Sequence, residues 1–209
     1  MKHSFQLGIF VERDLLMPRK KEFDEDELLE KAVNLFWQKG YNATSAQDLV
    51  DELGINRSSL YNAYTDKRTL FKMSLTHYQL KQTNAMIAML ARAENAKKAL
   101  KQIFSRLIQE SVEDSTLKGC FMVNTAVELA SIDEEIGAIV NKNNKSVEDA
   151  LAKLIEKGQH DGQFSTRHDP RALARFVFGN ITAIRVTART GADAKVLEDM
   201  AEIVLSALK

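Results

Sequence analysis

Apolar residues recur every three or four positions along most of the chain, the spacing of one helix face. Leu28, Leu29, Ala32, Val33, Leu35 and Phe36 form the first such face. With Asp24 placed to cap it, Glu27 as capping-box partner and Gly40 as the stop, they predict a helix over 24–39. After Gly40-Tyr41-Asn42-Ala43, the run Thr44-Ser45-Ala46-Gln47 reads as a capping box with Thr44 as cap and Gln47 as partner. The second helix then turns Leu49, Val50 and Leu53 inward and stops at Gly54. Asn56 can cap a third helix over 57–63. Asp66 can cap a fourth, running from Lys67 through Leu70, Phe71, Leu75 and Tyr78 to about Ala91. The same periodicity predicts helices over 95–114, 119–130, 133–158, 170–189 and 193–208, an all-α chain of about nine helices.

Punctuation agrees. Two prolines and nine glycines are too few for the turns of a many-stranded sandwich or barrel. Pro18 precedes the first helix, and Pro170 follows Asp169 as an N1 proline. We read 1–21 as a flexible N-terminal extension and basic arm, with Met17-Pro18 resembling an alternative start. An N-terminal helical unit is expected over 22–78 and a helical bundle over 79–209, joined by the continuous fourth helix.

Composition changes the picture in three places. With 44% hydrophobic residues the chain can bury a core. Lys+Arg equals Asp+Glu at 29 each, so affinity for a polyanion must come from a local patch. The single cysteine, Cys120, excludes an intrachain disulfide framework and suits a reducing compartment. The first residues lack a signal-peptide pattern and no apolar run reaches membrane-helix length, so a cytoplasmic protein without a membrane partner is expected.

Two short helices around a glycine turn are the geometry of a helix-turn-helix, whose second helix enters the major groove. From Leu53 to Thr65 there is no acidic residue, although Asp48, Asp51, Glu52 and Asp66 bracket the stretch. Its non-core face presents Arg57, Ser58, Tyr61 and Asn62. Arg57 can fork onto guanine or a phosphate, Asn62 can read adenine or hold backbone, and Tyr61 can donate to a phosphate. Ser58 and Ser59 are small enough to let the helix sink into the groove. Arg19, Lys20 and Lys21 form a basic arm for the backbone or minor groove, and Lys67, at a helix start, is a further phosphate contact.

Phe36-Trp37-Gln38-Lys39-Gly40-Tyr41-Asn42-Ala43-Thr44-Ser45, Gly54-Ile55-Asn56-Arg57-Ser58-Ser59-Leu60-Tyr61-Asn62-Ala63-Tyr64 and Asp66-Lys67-Arg68-Thr69-Leu70-Phe71 together resemble the N-terminal domain of the tetracycline-repressor (TetR) family, without a gap over about 24–71. The resemblance implies DNA contacts from Thr44, Ser45, Arg57, Ser58, Tyr61, Asn62 and Lys67, with Gly40, Leu60 and Tyr64 structural. Ala63 departs from the family's frequent histidine or tyrosine, which puts one backbone contact in doubt. Tyr64 replaces the usual phenylalanine, and its hydroxyl needs a partner.

By the same resemblance the second half is an effector-binding and dimerisation domain. Gly119 to Ala130 is similar to one branch of the family and apolar nearly all round, which predicts a helix in the middle of the bundle. The expected effector pocket is lined by Phe104, Leu107, Cys120, Phe121, Asn124, Glu128, Phe164 and Phe176; for each one taken singly, plain core packing is the stronger reading. Cys120 reads either as an inert small hydrophobe or as a redox or electrophile sensor. The expected homodimer interface comprises Leu173, Val177, Asn180, Ile181, Ile184, Met200, Ile203 and Ala207, with Gly179 and Ala183 allowing close approach; packing within one subunit is the alternative.

The rival classes have less to stand on. His3, His77, His160 and His168 are scattered without a ligand pair and read as surface residues. No nucleophile elbow, P-loop or dinucleotide fingerprint occurs, so no enzyme, cofactor or metal is expected. The reading is a ligand-responsive transcriptional regulator, most simply a repressor, binding double-stranded DNA as a homodimer and released by a small-molecule effector. The alternative is an all-α small-molecule-binding or adaptor protein without sequence-specific DNA binding.

Overall fold

The computed structural model describes residues 24–209, so the expected arm of Arg19, Lys20 and Lys21 and the rest of 1–23 lie outside it. The described residues form α1 (Glu25–Lys39), α2 (Ala46–Leu53), α3 (Arg57–Tyr64), α4 (Lys67–Tyr78), a π-helical turn (Gln79–Thr83), α5 (Asn84–Ala91), α6 (Ala96–Glu113), α7 (Phe121–Glu128), α8 (Glu134–His160), α9 (Pro170–Arg189) and α10 (Ala194–Ser206). The run from α4 through the π turn to α5 has no break, so the rods number nine among the described residues.

Short-range chemistry explains the starts. Asp24, Ser45, Asn56, Asp66, Asn95, Asp133, Asp169 and Asp193 each accept a backbone N–H of the first turn. The second start differs by one residue from expectation. Ser45 is the cap and Asp48 its reciprocal partner, because the Thr44 hydroxyl turns inward and donates to the Gly40 carbonyl at 2.6 Å. At the first start Asp24 accepts from Asp26, and Glu27 pairs with Lys31 instead of closing a box.

Two apolar cores form. One joins α1 to α4 with Cys120, Phe121, Met122, Leu129, Ile136 and Val140, so α7 and the start of α8 pack with the helix-turn-helix. The other is built by α5, α6, the later part of α8, α9 and α10. The middle-of-bundle expectation for α7 fails in part: Phe121 and Met122 are buried, but Val127 is 82% exposed. This eight-residue helix packs one face onto the core of α1 to α4 and leaves the other outside it.

Candidate nucleic-acid interface and interior cavity

The recognition helix is set by its inner face. Leu60 and Tyr64 of α3 and Ile55 before it are buried against α1, α2 and α4, which leaves Arg57, Ser58, Tyr61 and Asn62 exposed on the other side. The Arg57 guanidinium lies 5.8 Å from the Tyr61 ring centroid, so the two form one cationic, aromatic edge. Burial pushes the Tyr64 hydroxyl above its ordinary pKa, as expected for a structural residue. Ser45 is exposed at the start of α2, and its hydroxyl is engaged with Asp48.

Two expected DNA contacts, Thr44 and Lys67, are engaged within the protein itself. Thr44 is 1% exposed. Lys67 donates to the carbonyls of Tyr41 and Thr44 at 3.0 and 2.8 Å and lies 4.3 Å from the Tyr41 ring centroid. Its ammonium staples the α1–α2 turn to α4; both carbonyls would otherwise lack those charge-assisted bonds.

The same turn is gripped from the other half of the chain. Glu128, at the end of α7, accepts the N–H groups of Tyr41 at 3.0 Å and Asn42 at 2.7 Å. Gly40 permits this approach. Its φ is +83°, and a Cβ there would lie 3.0 Å from the Glu128 carboxylate. Glu128 is therefore a link between halves, although it lines a cleft of about 410 Å³ with Asn124 and Cys120. Trp37 adds a second link by donating to the Gly119 carbonyl at 3.2 Å.

A third link is ionic. Arg68 of α4 reaches Asp133 with both Nε and Nη2 at 2.8 and 2.9 Å, and Glu135 pairs with Arg68 and Lys72. Arg68, together with the Ile136 N–H, holds the Asp133 carboxyl at about 2. A lowered folded-state pKa stabilises above the unfolded value, near 3.9, and that contribution disappears as pH falls to the folded value. The melting-temperature gap between the natural protein and Asp133→Asn, which keeps a capping group, should be present at pH 7 and close between about pH 4 and 2. A gap independent of pH would mean the charge contributes nothing.

Behind these links lies a cavity of about 550 Å³ between α4–α5, α6, α8 and α9, within the usual range of small-molecule sites. Met86, Met89, Ile103, Leu107, Val147 and Ile181 give apolar wall, and Cys120, Tyr78, Asn143 and Arg185 give polar wall. The Tyr78 hydroxyl is 3.8 Å from the Cys120 sulfur. Burial pushes Tyr78 up. Burial would also raise the Cys120 thiol, but the neighbouring Arg185 guanidinium and the N–H groups of Val123 and Met122 outweigh it and hold the thiol below its ordinary value.

Of the expected pocket residues, the cavity brings together Leu107 and Cys120. Phe104 and Phe121, each 1% exposed, are core. Phe164 is packed onto Gly158 so closely that a Cβ there would meet its ring at 2.3 Å. Asn124 lines the smaller cleft and donates to the Lys118 carbonyl. Phe176 points away from the interior and is 41% exposed. Aromatic spacing marks a buried face without saying whether that face meets a wall or a void. His77, expected at the surface, is largely buried beside Glu30, 3.1 Å away. Asn143 and Arg185 were missed, although a signal existed: Asn143 falls on the apolar stripe of Val140 and Val147, and Arg185 on that of Ile181 and Ala188. Among the described residues, no group of three His, Cys, Asp or Glu could hold a metal ion, and no helix is long and apolar enough to cross a membrane.

Residues 28–73 match the family model of bacterial regulatory proteins of the tetR family, and residues 83–204 match the tetracyclin repressor-like C-terminal domain. This chain belongs to the TetR family. The HTH-type transcriptional regulator YezE of Bacillus subtilis (strain 168) is 31% identical over 92% of this chain and 100% of its own length. The HTH-type transcriptional repressor ComR of Escherichia coli (strain K12) is 31% identical over 90% of each. In fold, the TetR family regulator CifR, solved as a cysteine mutant with 26bp double-strand operator DNA, superimposes with a TM-score of 0.81 at 24% identity over 91% of this chain and 100% of that one. The reduced form of E. coli NemR does so at 0.78 and 17%, over 86% and 93%.

The residues expected at an interface between copies of the chain divide between the interior and the outer faces of α9 and α10. Leu173, Val177, Ile181 and Ile184 are buried within the chain against α6, α8 and α10. Ile203, at 68% exposure, and Ala207 lie outside, and Asn180 and Met200 are half-buried. Phe176, Val186 and Val196 are further exposed apolar side chains on these helices.

Proposed function

We propose that this TetR-family, DNA-binding regulator represses transcription as a cytoplasmic homodimer on a palindromic operator and is released when a small molecule enters the interior cavity. The observation that carries the reading is the exposed, acid-free face of α3, where Arg57, Ser58, Tyr61 and Asn62 stand clear of the protein. Such a face meets phosphates without repulsion and offers a guanidinium and an amide to base edges. Arg19, Lys20 and Lys21 would add backbone contacts. ComR, described as a repressor, supports the sign of regulation.

The exposed Phe176, Val186, Val196 and Ile203 support pairing through α9 and α10. A two-fold axis there makes a four-helix interface and repeats the recognition helix on a second half-site. Coupling follows from shared elements. The π turn and α5 supply Gln82, Thr83 and Met86 to the cavity wall and continue without a break from α4, while Glu128 and Asp133 tie the other wall to the α1–α2 turn and to Arg68. π-helical turns recur at functional sites. A coupling of about 1–3 kcal/mol changes operator affinity roughly 5- to 150-fold.

Selection of bound sequences from a random duplex library tests the reading. An inverted repeat bound with steep salt dependence is the expected result; no enrichment, or an unsymmetrical site bound by one chain, would refute it. On the selected site Arg57→Ala should cost about 1–3 kcal/mol. The loss falls on one base position if Arg57 reads a base and on all sequences alike if it holds a phosphate. An unchanged affinity takes Arg57 out of the interface.

A further inference from the structure

Two buried side-chain polar atoms among the described residues lack a hydrogen-bond partner, Arg185 Nε and Asn143 Oδ1. Both residues line the 550 Å³ cavity. Buried polar groups are nearly always paired, and an unpaired one needs an explanation. Two orphans on residues of one cavity, a cationic donor on α9 and a neutral acceptor on α8, share one explanation: a ligand in that cavity.

The guanidinium is enclosed by protein, with the Cys120 sulfur and the Tyr78 oxygen as neighbours, and the surface it retains belongs to the cavity walls. No carboxylate pairs with it among the described residues. The acids that line the cavity are engaged elsewhere: Glu110 with Arg106, Glu113 with Gln109, and Asp114 with Thr116 and the Lys118 N–H. An enclosed arginine whose acidic neighbours are a thiol and a phenol, with no carboxylate, is costly, and its planar fork matches a carboxylate in geometry as well as sign. The rest of the wall combines an apolar part, Met86, Met89, Ile103, Leu107 and Ile181, with polar side chains that include Gln82, Gln102, Asn144, Thr182, Lys118 and Arg189. The apolar part suits a hydrocarbon body, which a small, fully hydrated anion lacks.

We propose that the cavity takes a small amphipathic carboxylic acid, its carboxylate on the Arg185 guanidinium and a hydroxyl or amide N–H elsewhere on the same molecule donating to the Asn143 amide oxygen. This rests on the effector reading above and names the effector's chemical class. The methionines at 86 and 89 are adaptable walls, so the polar pair sets the class of ligand and the apolar wall its bulk.

Calorimetry on the full-length protein tests this with ω-hydroxyalkanoic acids of six to twelve carbons, their methyl esters, the acids without the hydroxyl, and inorganic phosphate. At least one hydroxy acid should bind, its ester about 10- to 100-fold more weakly, and phosphate should not bind. In Arg185→Gln the acid and its ester should become equal. In Asn143→Leu the acid preference should persist while the advantage of the hydroxyl is lost. Ester binding equal to acid binding, acid preference surviving in folded Arg185→Gln, or no binding of any acid each overturns the proposal. If Arg185→Gln does not fold, the acid-to-ester ratio of the unmodified protein decides it, with Arg185→Lys expected to narrow that ratio. Binding to the selected operator, measured in parallel, separates the two readings. DNA binding without acid binding defeats this inference alone, whereas acid binding by a protein that recognises no operator defeats the proposed function and leaves the chemistry of the cavity standing.

Discussion

Replacing Phe121 with alanine is expected to destabilise the protein by about 3–5 kcal/mol, the usual cost of deleting a fully buried phenylalanine. The ring is 1% exposed and meets Phe71 and Tyr78 edge-on at 5.6 Å and Trp37 at 6.4 Å. Phe71 in turn meets Phe36 and Tyr41, each at 4.9 Å. Within this cluster Phe121 is the ring contributed from beyond the π turn, so its loss opens a cavity at the joint between the two halves. For a chain of this length each kcal/mol shifts the melting temperature by roughly 2–4 °C, so a fall on the order of 10 °C should appear in a thermal melt. Phe121→Leu, which keeps most of the volume, should recover much of it. A fall of under about 2 °C for the alanine variant would show that α7 does not hold the halves together.

The second large effect is on communication more than on stability. Glu128→Ala removes two charge-assisted hydrogen bonds to the Tyr41 and Asn42 N–H groups, each worth about 1.5–3 kcal/mol in favourable settings and less where water can replace the carboxylate. The freed turn carries Thr44 and Ser45 into α2, so the spread of recognition-helix positions should widen. Operator affinity should fall roughly 10- to 100-fold, and whatever change a cavity ligand causes should shrink. Glu128→Gln, which keeps an acceptor of the same length, should lie between. Equal operator affinity and an equal ligand response in the alanine variant would assign the coupling to α4 and the Arg68–Asp133 pair instead.

The contrast between these residues and the expectations for them locates the limit of sequence reading. Phe121, Glu128, Phe104 and Phe164 were all expected at a pocket; one is joint, one is latch and two are core. A periodic apolar face says that a residue is covered, and the same face serves a core, a cavity wall or a subunit interface. Leu173 and Ile203 illustrate this on α9 and α10, the first buried within its subunit and the second exposed. Nor could Thr44 be told from Ser45 as the cap of α2. Both carry a hydroxyl, and only the approach of the Gly40 carbonyl draws Thr44 inward.

The chain alone specified its helices, most of their caps and stops, and the bare polar face of Arg57, Ser58, Tyr61 and Asn62, because each follows largely from neighbours within about four residues. Three-dimensional packing alone settled which covered residues face empty space. Arg185 and Asn143 are separated by more than forty positions, yet they share one cavity because α8 and α9 pack along each other. The same long-range folding spends the Lys67 charge on two carbonyls of its own chain. A solvation cost or an ion pair depends on what surrounds a group, and that is fixed only when distant segments meet.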